Sequence, residues 1–508
     1  MQSSNIKILN IVGGGSAGWM AAIYLNRYFN REVQNYQINV IESPDIGIIG
    51  VGEATVHSIR FFFGAMGLDE AELMAETNAT IKSGIMFRNW MKPVDGNVHE
   101  YFHPFDQQQP GGSIDISSAW FVGGRAAQER YDEGVSVNSH LIKWGRCPKG
   151  APSPQYQAAV PYGYHLDATL LARFLRRKAV EQGVRHIEAT VTDVEVVAGE
   201  IRSVLTDEGQ FAGDFFIDCT GFRGLLIEKL KQDNWVSFTE VLPCDKAVAI
   251  QRELPGGEKP RSYTVATALS SGWAWQIDLV NRQGSGYVYD SKRLTPEQAE
   301  AELRAFLGVE SSVIKCKHLD MKVGCRNDVW IGNCVAIGLS GGFIEPLEST
   351  GLHMIHLGVS LLATHLAADD GSCELRDSYN EKLRGFYQDL KQFIVLHYCL
   401  SNRDDSAFWR AAPATVDGCS WLKSKLPLWQ RKICEYQDFA GSFASIFTDT
   451  NYRYVLYGMQ HYPAPRFALS ENEIDSTFDR FNQILKRAKA GTMAHEEFLK
   501  LIQSRKRT

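Results

Sequence analysis

Three short stretches of this chain carry residue types whose spacing points to chemistry. Gly13-Gly14-Gly15-Ser16-Ala17-Gly18 fits G-x-G-x-x-G, and Glu42 lies 24 residues beyond its last glycine. Such glycines allow a tight turn and close approach of the backbone to a pyrophosphate at a helix N-terminus, and an acid at that distance accepts from a ribose hydroxyl. Lys82 stands in Ile81-Lys82-Ser83-Gly84-Ile85-Met86-Phe87, where apolar neighbours would desolvate its amine and favour the neutral form, able to act as nucleophile or hydrogen-bond partner. An ordinary surface lysine is the alternative reading. Glu348-Ser349-Thr350-Gly351 opens a long helix. Ser349 and Thr350 are N-cap types, and the amides near Thr350 and Gly351 would lie at the positive end of the helix dipole, where anions as small as a halide bind. The alternative there is a plain capped helix in which Glu348 complements the dipole.

A fourth stretch is structural at first sight. In Trp273-Ala274-Trp275-Gln276-Ile277-Asp278 the period of two puts Trp273, Trp275 and Ile277 on one strand face and Ala274, Gln276 and Asp278 on the other. The aromatic face is either half of a core or a wall beside a cofactor. Two further patterns have bland readings. Gly338-Leu339-Ser340-Gly341-Gly342 matches G-x-S-x-G, but Phe343-Ile344-Glu345-Pro346 follows where a nucleophile elbow needs a helix. His353 and His356 share a helix face without a third ligand and read as packing or capping residues, and no metal site is expected.

These residues need elements to hold them. Strand Lys7–Val12, a glycine turn, a helix from Ala17 to Phe29 and strand Gln37–Glu42 make a βαβ start. The stretch from Asp95 to Pro161, with Gln107-Gln108-Gln109-Pro110-Gly111-Gly112 inside it, reads as loop-rich yet too aromatic for a disordered linker. A helix over Ala168–Gln182 follows, then strands over Ile187–Val197, Arg202–Thr206, Phe215–Asp218, Thr264–Ala268 and Gly286–Tyr289, and a helix over Pro296–Leu307. Beyond Leu352 the pattern is helical to the end and carries Trp409, Trp421, Trp429, Phe439, Phe443, Phe447, Tyr452 and Tyr454.

Composition narrows the class. A chain of 508 residues that is 44% hydrophobic buries a large core and exceeds one typical domain. A formal charge of -6 leaves no basic surplus for phosphates, and the short basic ending Lys500 to Arg507 reads as a solvated helix end, so no nucleic-acid partner is expected. No signal-like or membrane-spanning apolar run occurs, and the ten cysteines are scattered without Cys-x-x-Cys, which predicts a cytoplasmic protein with reduced thiols and no membrane partner.

Gly50-Val51-Gly52-Glu53-Ala54-Thr55, Tyr164-His165-Leu166-Asp167 through Phe174-Leu175-Arg176, and Asp214 to Gly221 resemble, in this order, segments of the flavin monooxygenase-like fold. Trp273-x-Trp275-x-Ile277, Phe343-x-x-Pro346-x-x-Ser349-x-Gly351, and Lys82 ahead of Phe87-x-Asn89-Trp90 resemble the flavin-dependent halogenases of the tryptophan-halogenase type, over most of residues 5 to 365. The resemblance implies an α/β fold: a Rossmann-type FAD-binding module over 1–95 and 160–365, and a mostly helical substrate module over 96–159 and 366–508. It implies FAD held by Gly13, Gly15, Ser16, Ala17, Gly18, Glu42, Ala54, Val191 and Leu339, with Trp273 and Trp275 on the flavin side. It places the halide at Thr350 and Gly351. It makes Lys82 the essential lysine, pairs Glu348 with it, and sets His103 and Phe105 against the substrate ring, with Tyr452 or Tyr454 as further walls.

The implied reaction uses reduced FAD from a separate reductase, O2 and chloride or bromide to make hypohalous acid, which reaches Lys82 through a dry interior and halogenates an electron-rich ring. The family leaves open whether Lys82 holds the oxidant by hydrogen bond or as a haloamine, and the resemblance leaves monomer and homodimer open. Two departures stand out. Asp278 replaces the proline that normally closes the tryptophan motif, and no Tyr-Tyr pair of the kind that clamps free tryptophan occurs anywhere, which favours an indole lacking that zwitterion. A hydroxylating flavin monooxygenase and a non-catalytic FAD-binding protein are the competing readings; neither needs Lys82.

Overall fold

The computed structural model describes residues 6–47, 53–93, 95–105, 114–151, 153–310, 314–369, 371–439, 446–464 and 467–505. Gly50-Val51-Gly52, the glutamine-rich run from Gln107 to Gly112, Phe443, and Lys506 and Arg507 of the basic ending lie outside these residues. The chain forms two compact units, one of Met1–Thr77, Leu166–Ser237 and Lys322–Tyr387, the other of Asn78–His165, Phe238–Met321 and Gln388–Thr508. This division by packing differs from the division by ligand expected above, in that both the Lys82 strand and the tryptophan strand fall in the second unit.

In the first unit the apolar run Lys7–Val12 is a strand flanked in parallel by Tyr36–Glu42 and Phe215–Asp218. Its last four residues are buried, as expected for a strand with neighbours on both edges and helices on its faces. The six-stranded sheet continues through Arg185–Glu188 on one side and through Cys334–Ala336 and Trp330–Ile331 on the other. Helix Ser16–Phe29 packs against helices Ala168–Glu181 and Gly351–Ala367. The expected single strand Ile187–Val197 is in fact two. Arg185–Glu188 pairs with Tyr36–Glu42, whereas Val191–Val197 joins a separate antiparallel sheet with Glu200–Thr206 and Gly209–Ala212. The switch falls at Thr190, whose hydroxyl meets Ser43 Oγ at 2.8 Å and whose amide donates to Asp207 at 2.7 Å, so the chain turns there despite its strand-forming composition.

The second unit is built on a seven-stranded sheet in the order Cys316–Asp320, Lys246–Arg252, Gln283–Tyr289, Gly272–Asp278, Thr264–Leu269, Gly84–Arg88 and Glu100–Pro104. The tryptophan strand Gly272–Asp278 is thus central, antiparallel to both neighbours. Helix Pro296–Leu307, started by a reciprocal Thr295–Gln298 cap, packs Ala299, Leu303 and Leu307 against Ala274, Tyr287 and Tyr289. The stretch 95–161, expected to be loop-rich, carries strand Glu100–Pro104 and helices Ile116–Val122, Tyr131–Val135 and Val137–Lys143. Asp115 and Ser136 cap two of these helices, and Trp120 packs edge-on against Tyr131, so side chains replace the missing apolar periodicity. Helices Asp449–Gly458, Glu471–Gly491 and His495–Ser504 close the chain, and among the described residues no helix is long and apolar enough to cross a membrane.

Candidate active site

The glycine fingerprint forms a tight turn at the C-terminal end of the parallel strand Lys7–Val12. Gly13 has φ +111°, and a Cβ there would stand 2.3 Å from the Cys219 carbonyl oxygen; one on Gly18 would stand 1.9 Å from the Gly13 oxygen. Both glycines are therefore required by the turn itself. A Cβ on Gly14 would meet the Glu42 carboxyl carbon at 2.0 Å, so Glu42 folds back over the turn. His186 Nε2 holds the Glu42 carboxylate at 3.0 Å, with Arg176 Nη1 at 3.9 Å. Neither partner follows from the fingerprint, because both arrive from elements more than 130 residues further along the chain.

Gly15 is different. It is the N-cap of helix Ser16–Phe29, no side chain caps that helix, and a Cβ on Gly15 would meet nothing within 4 Å. Uncapped first-turn amides facing open space, with an acid folded alongside, fit a dinucleotide such as FAD. Gly338, at φ +75°, brings the turn holding Leu339 against Ala17, 3.0 Å from Cβ to Cβ if alanine stood at 338. Ala54 lies buried in the short strand Glu53–Ala54, and Val191 begins its own strand. Replacing Gly15 with alanine is expected to leave the melting temperature unchanged while weakening FAD binding at least about tenfold, measured by fluorescence titration. Unchanged affinity would remove the pyrophosphate from this turn.

Glu348 ends the 3-10 turn Pro346–Glu348 and is wholly buried. Ser349 follows in the left-handed region (φ +60°) as the C-cap of that turn, and the N-cap position of the next helix falls to Thr350. Thr350 takes the N-cap position of helix Gly351–Ala367, yet its side chain makes no capping bond, and a Cβ on Gly351 would meet nothing within 4 Å. The Thr350 hydroxyl thus does not cap this helix, and its start can offer amides to an anion. His353 Nδ1 lies 2.6 Å from Ser58 Oγ and His356 packs on Phe62. Burial pushes the two imidazoles down to about 3 and about 4, so both are neutral packing residues. Ser340, the serine of the G-x-S-x-G match, sits in a 3-10 turn with its hydroxyl on the carbonyls of Asp218 and Ile337, which gives it a structural task. Among the described residues no three His, Cys, Asp or Glu side chains are grouped as metal ligands.

In the second unit Lys82 ends strand Thr80–Lys82 and is wholly buried, its Nζ 5.1 Å from the centre of the Phe105 ring. The Phe105 amide donates to the Ser83 carbonyl, which ties the two segments. His103, also buried, lies near the rings of Phe393, Phe447 and Tyr454 at 5.6, 6.0 and 6.2 Å. Asn451 fixes it. The Asn451 Oδ1 accepts the Thr448 amide at 3.0 Å, so its Nδ2 is the atom that donates to His103 Nε2, also at 3.0 Å. Asn451 and Phe393 escaped the sequence reading, and Phe447 stood there only among the aromatics of the helical region, since no motif marks any of the three. Of the two tyrosines expected as walls, Tyr454 stands beside His103. Tyr452 packs with Phe439 and Phe393, both at 4.9 Å, and with Trp429 and Trp421, so that Phe393 stands between it and His103.

The tryptophan strand is buried on both faces, contrary to a half-exposed strand. Trp273 and Trp275 lie 6.3 Å apart, and the Trp275 indole covers Gly286, where a Cβ would stand 2.1 Å from the ring. Trp275 Nε1 has no hydrogen-bond partner among the described residues. Asp278 closes the strand with its carboxylate on the Arg261 backbone amide (3.0 Å), Arg261 Nε (2.7 Å) and Nη2 (2.8 Å), and Gln283 Nε2 (2.8 Å). Burial opposes the ionised form, but the Arg261 guanidinium holds the carboxyl below the usual range. The acid in place of proline is therefore half of a buried, doubly bonded ion pair.

The sequence matches the family model described as tryptophan halogenase over residues 8–472. It is 38% identical to tryptophan 6-halogenase SttH of Streptomyces toxytricini, over 81% of each chain. It is also 38% identical to 7-chloro-L-tryptophan 6-halogenase KtzR of Kutzneria sp. (strain 744), over 83% of this chain and 85% of that one. The crystal structure of a tryptophan halogenase from Shewanella frigidimarina NCIMB 400 superposes with a TM-score of 0.91, at 31% identity and 98% coverage of both chains.

Proposed function

The chain belongs to the tryptophan halogenase family, as a flavin-dependent halogenase acting on an indole-type aromatic, and on that premise we propose that it halogenates an indole that lacks the free amino-acid group, with Lys82 presenting the halogen. FAD is its cofactor, and halide and O2 are co-substrates. Reduced FAD, delivered by a separate flavin reductase, supplies with O2 the oxidation of halide to hypohalous acid. The first-unit turn at Gly13–Gly18 with Glu42, and with Ala54, Val191 and Leu339, holds the flavin nucleotide; Trp273 and Trp275 form the flavin-side wall; Thr350 and Gly351 hold the halide. Glu348 polarises the oxidant or accepts the ring proton. His103, Phe105 and Tyr454 pack the substrate ring. The protein works in the cytoplasm, as a monomer or homodimer.

One observation carries this reading: a lysine amine with no exposure to water, set beside an aromatic ring. A water-exposed amine would lose hypohalous acid to side reactions, whereas a buried one holds it for a substrate ring packed beside Phe105. The substrate class rests on the absence of a Tyr-Tyr pair from the sequence. In the segment Thr448–Gly458, Tyr452 packs in an aromatic cluster and the Arg453 guanidinium is held by Asp115 and Asp449 at 2.6 and 3.1 Å, so neither is a free-standing substitute for such a pair.

The test is a reaction of protein, reduced FAD, O2 and bromide or chloride with a panel of indoles, read by mass spectrometry. Brominated or chlorinated product is expected; hydroxylated product without a halogen isotope pattern would overturn the halogen-transfer reading. Within the panel, kcat/KM for indole is expected to exceed that for L-tryptophan by about tenfold or more. Equal or better use of L-tryptophan would refute the substrate class and leave halogenation standing.

A further inference from the structure

The strand that presents Lys82 is three residues long, yet Thr80, Ile81 and Ser83 around the lysine are each anchored in the second unit. The Thr80 hydroxyl donates to the backbone carbonyl of Asp278 at 2.7 Å. The Ile81 amide meets His495 Nε2 at 3.3 Å, and His495 Nδ1 in turn lies 3.0 Å from the Pro260 carbonyl. The Ser83 amide donates to the Ser262 carbonyl at 2.7 Å. Thr80 and Lys82 are two apart and point to the same side of the strand. Their antiparallel partners are His165 and Gly163, so the side chain facing Thr80 on that side is an imidazole and the residue opposite Lys82 contributes none.

The hydrogen-bond donors fix which nitrogen of this imidazole must carry a proton. Thr80 has one hydroxyl proton, and the Asp278 carbonyl, which can only accept, takes it. His165 Nδ1, 3.0 Å from Thr80 Oγ1, must then be the donor in that pair. Burial, with the neighbouring Lys82 charge acting in the same sense, pushes the ring down to about 3, so His165 is neutral and its proton sits on Nδ1. The other nitrogen, Nε2, 2.8 Å from Thr264 Oγ1, is then the acceptor in that pair. The chain Thr264–His165–Thr80–Asp278 ends on a strand terminus that is itself fixed by the carboxylate–Arg261 pair.

We propose that Thr80, His165, Thr264 and Asp278 form a positioning relay that holds the Lys82 amine at the substrate ring without placing a second positive charge beside it. The proposal rests on the reading of Lys82 given above. A buried relay with every donor matched to one acceptor admits a single arrangement, and loss of one hydroxyl frees both the strand and the ring orientation. The relay accounts for the residue at 278: a carbonyl that must accept from Thr80 needs a strand end that does not move, and the Arg261–Asp278 pair provides one.

The experiment compares Thr80→Val, of nearly the same shape and strand preference, with Thr80→Ser, which restores the hydroxyl. Full-length protein is assayed with indole, bromide, O2 and reduced FAD for brominated product formed per FADH2 oxidised, alongside the rate of FADH2 oxidation and the melting temperature. Thr80→Val is expected to lower product per flavin by about tenfold while FADH2 oxidation stays within about twofold, and Thr80→Ser to recover it to within about twofold. Thr80→Val retaining its yield, or Thr80→Ser performing no better than Thr80→Val, overturns the proposal. If Thr80→Val does not fold, Thr264→Val decides at the far end of the relay: a loss of about threefold or more supports it and an unchanged yield refutes it. Lys82→Ala run in parallel separates the two levels, because bromination surviving in that variant would defeat the reading of Lys82 itself.

Discussion

Lys82→Ala is expected to lower halogenated product by about a thousandfold or more while flavin reoxidation and hydrogen peroxide release continue at nearly the wild-type rate. The two halves of this result have separate structural causes. Lys82 is wholly buried with its amine at the Phe105 ring, and in the role proposed for it, its removal takes away the group that presents the halogen to the substrate. The nucleotide turn at Gly13–Gly18 belongs to the other compact unit and shares no element with strand Thr80–Lys82. Folding should survive, because Thr80, Ile81 and Ser83 anchor the strand by contacts that do not involve the lysine side chain. The variant is read by product mass spectrometry beside stopped-flow flavin spectra. Halogenation within tenfold of wild type would refute the assigned role, and loss of flavin reoxidation in step with product would turn Lys82 into a structural residue.

The second large effect is expected at Glu348. Glu348→Gln keeps the volume and the turn while removing the charge, and product formation should fall about a hundredfold with FAD affinity unchanged within about twofold. The residue is wholly buried in a turn framed by Pro346 before it and Ser349 in the left-handed region after it, and glutamine at 348 leaves both of these backbone determinants in place. Saturating substrate then reports on kcat, where the proton-handling role would show, and flavin titration reports on the fold. Parallel losses in both measurements would assign Glu348 to the packing of this turn and return its role to the dipole-complementing residue of a plain helix start.

The sequence by itself determined what short-range physics controls. The glycine turn, its helix and Glu42 at the end of the next strand were all legible, because steric demands on Gly13 and Gly18 act within a few residues and leave a fixed spacing. Helix Pro296–Leu307 was read to the residue, since Thr295, Pro296, Gln298 and Gly308 mark both ends locally. Lys82, Thr350 and the tryptophan strand were found by residue type and period. What only the tertiary structure decided is which side chains finish the job at each point: His186 and Arg176 on Glu42, Asn451 on His103, and Arg261 and Thr80 on Asp278. It also placed a strand and three α-helices, two of them capped by side chains, among the described residues of the 95–161 stretch, divided the strand at Thr190, and made Ser349 the end of the Pro346–Glu348 turn. Each of these depends on one donor meeting one acceptor, or one ring meeting another, across segments brought together by packing. Hydrophobic period and local propensity carry no record of such partners, whereas a buried polar group must find one, and the fold alone fixes which.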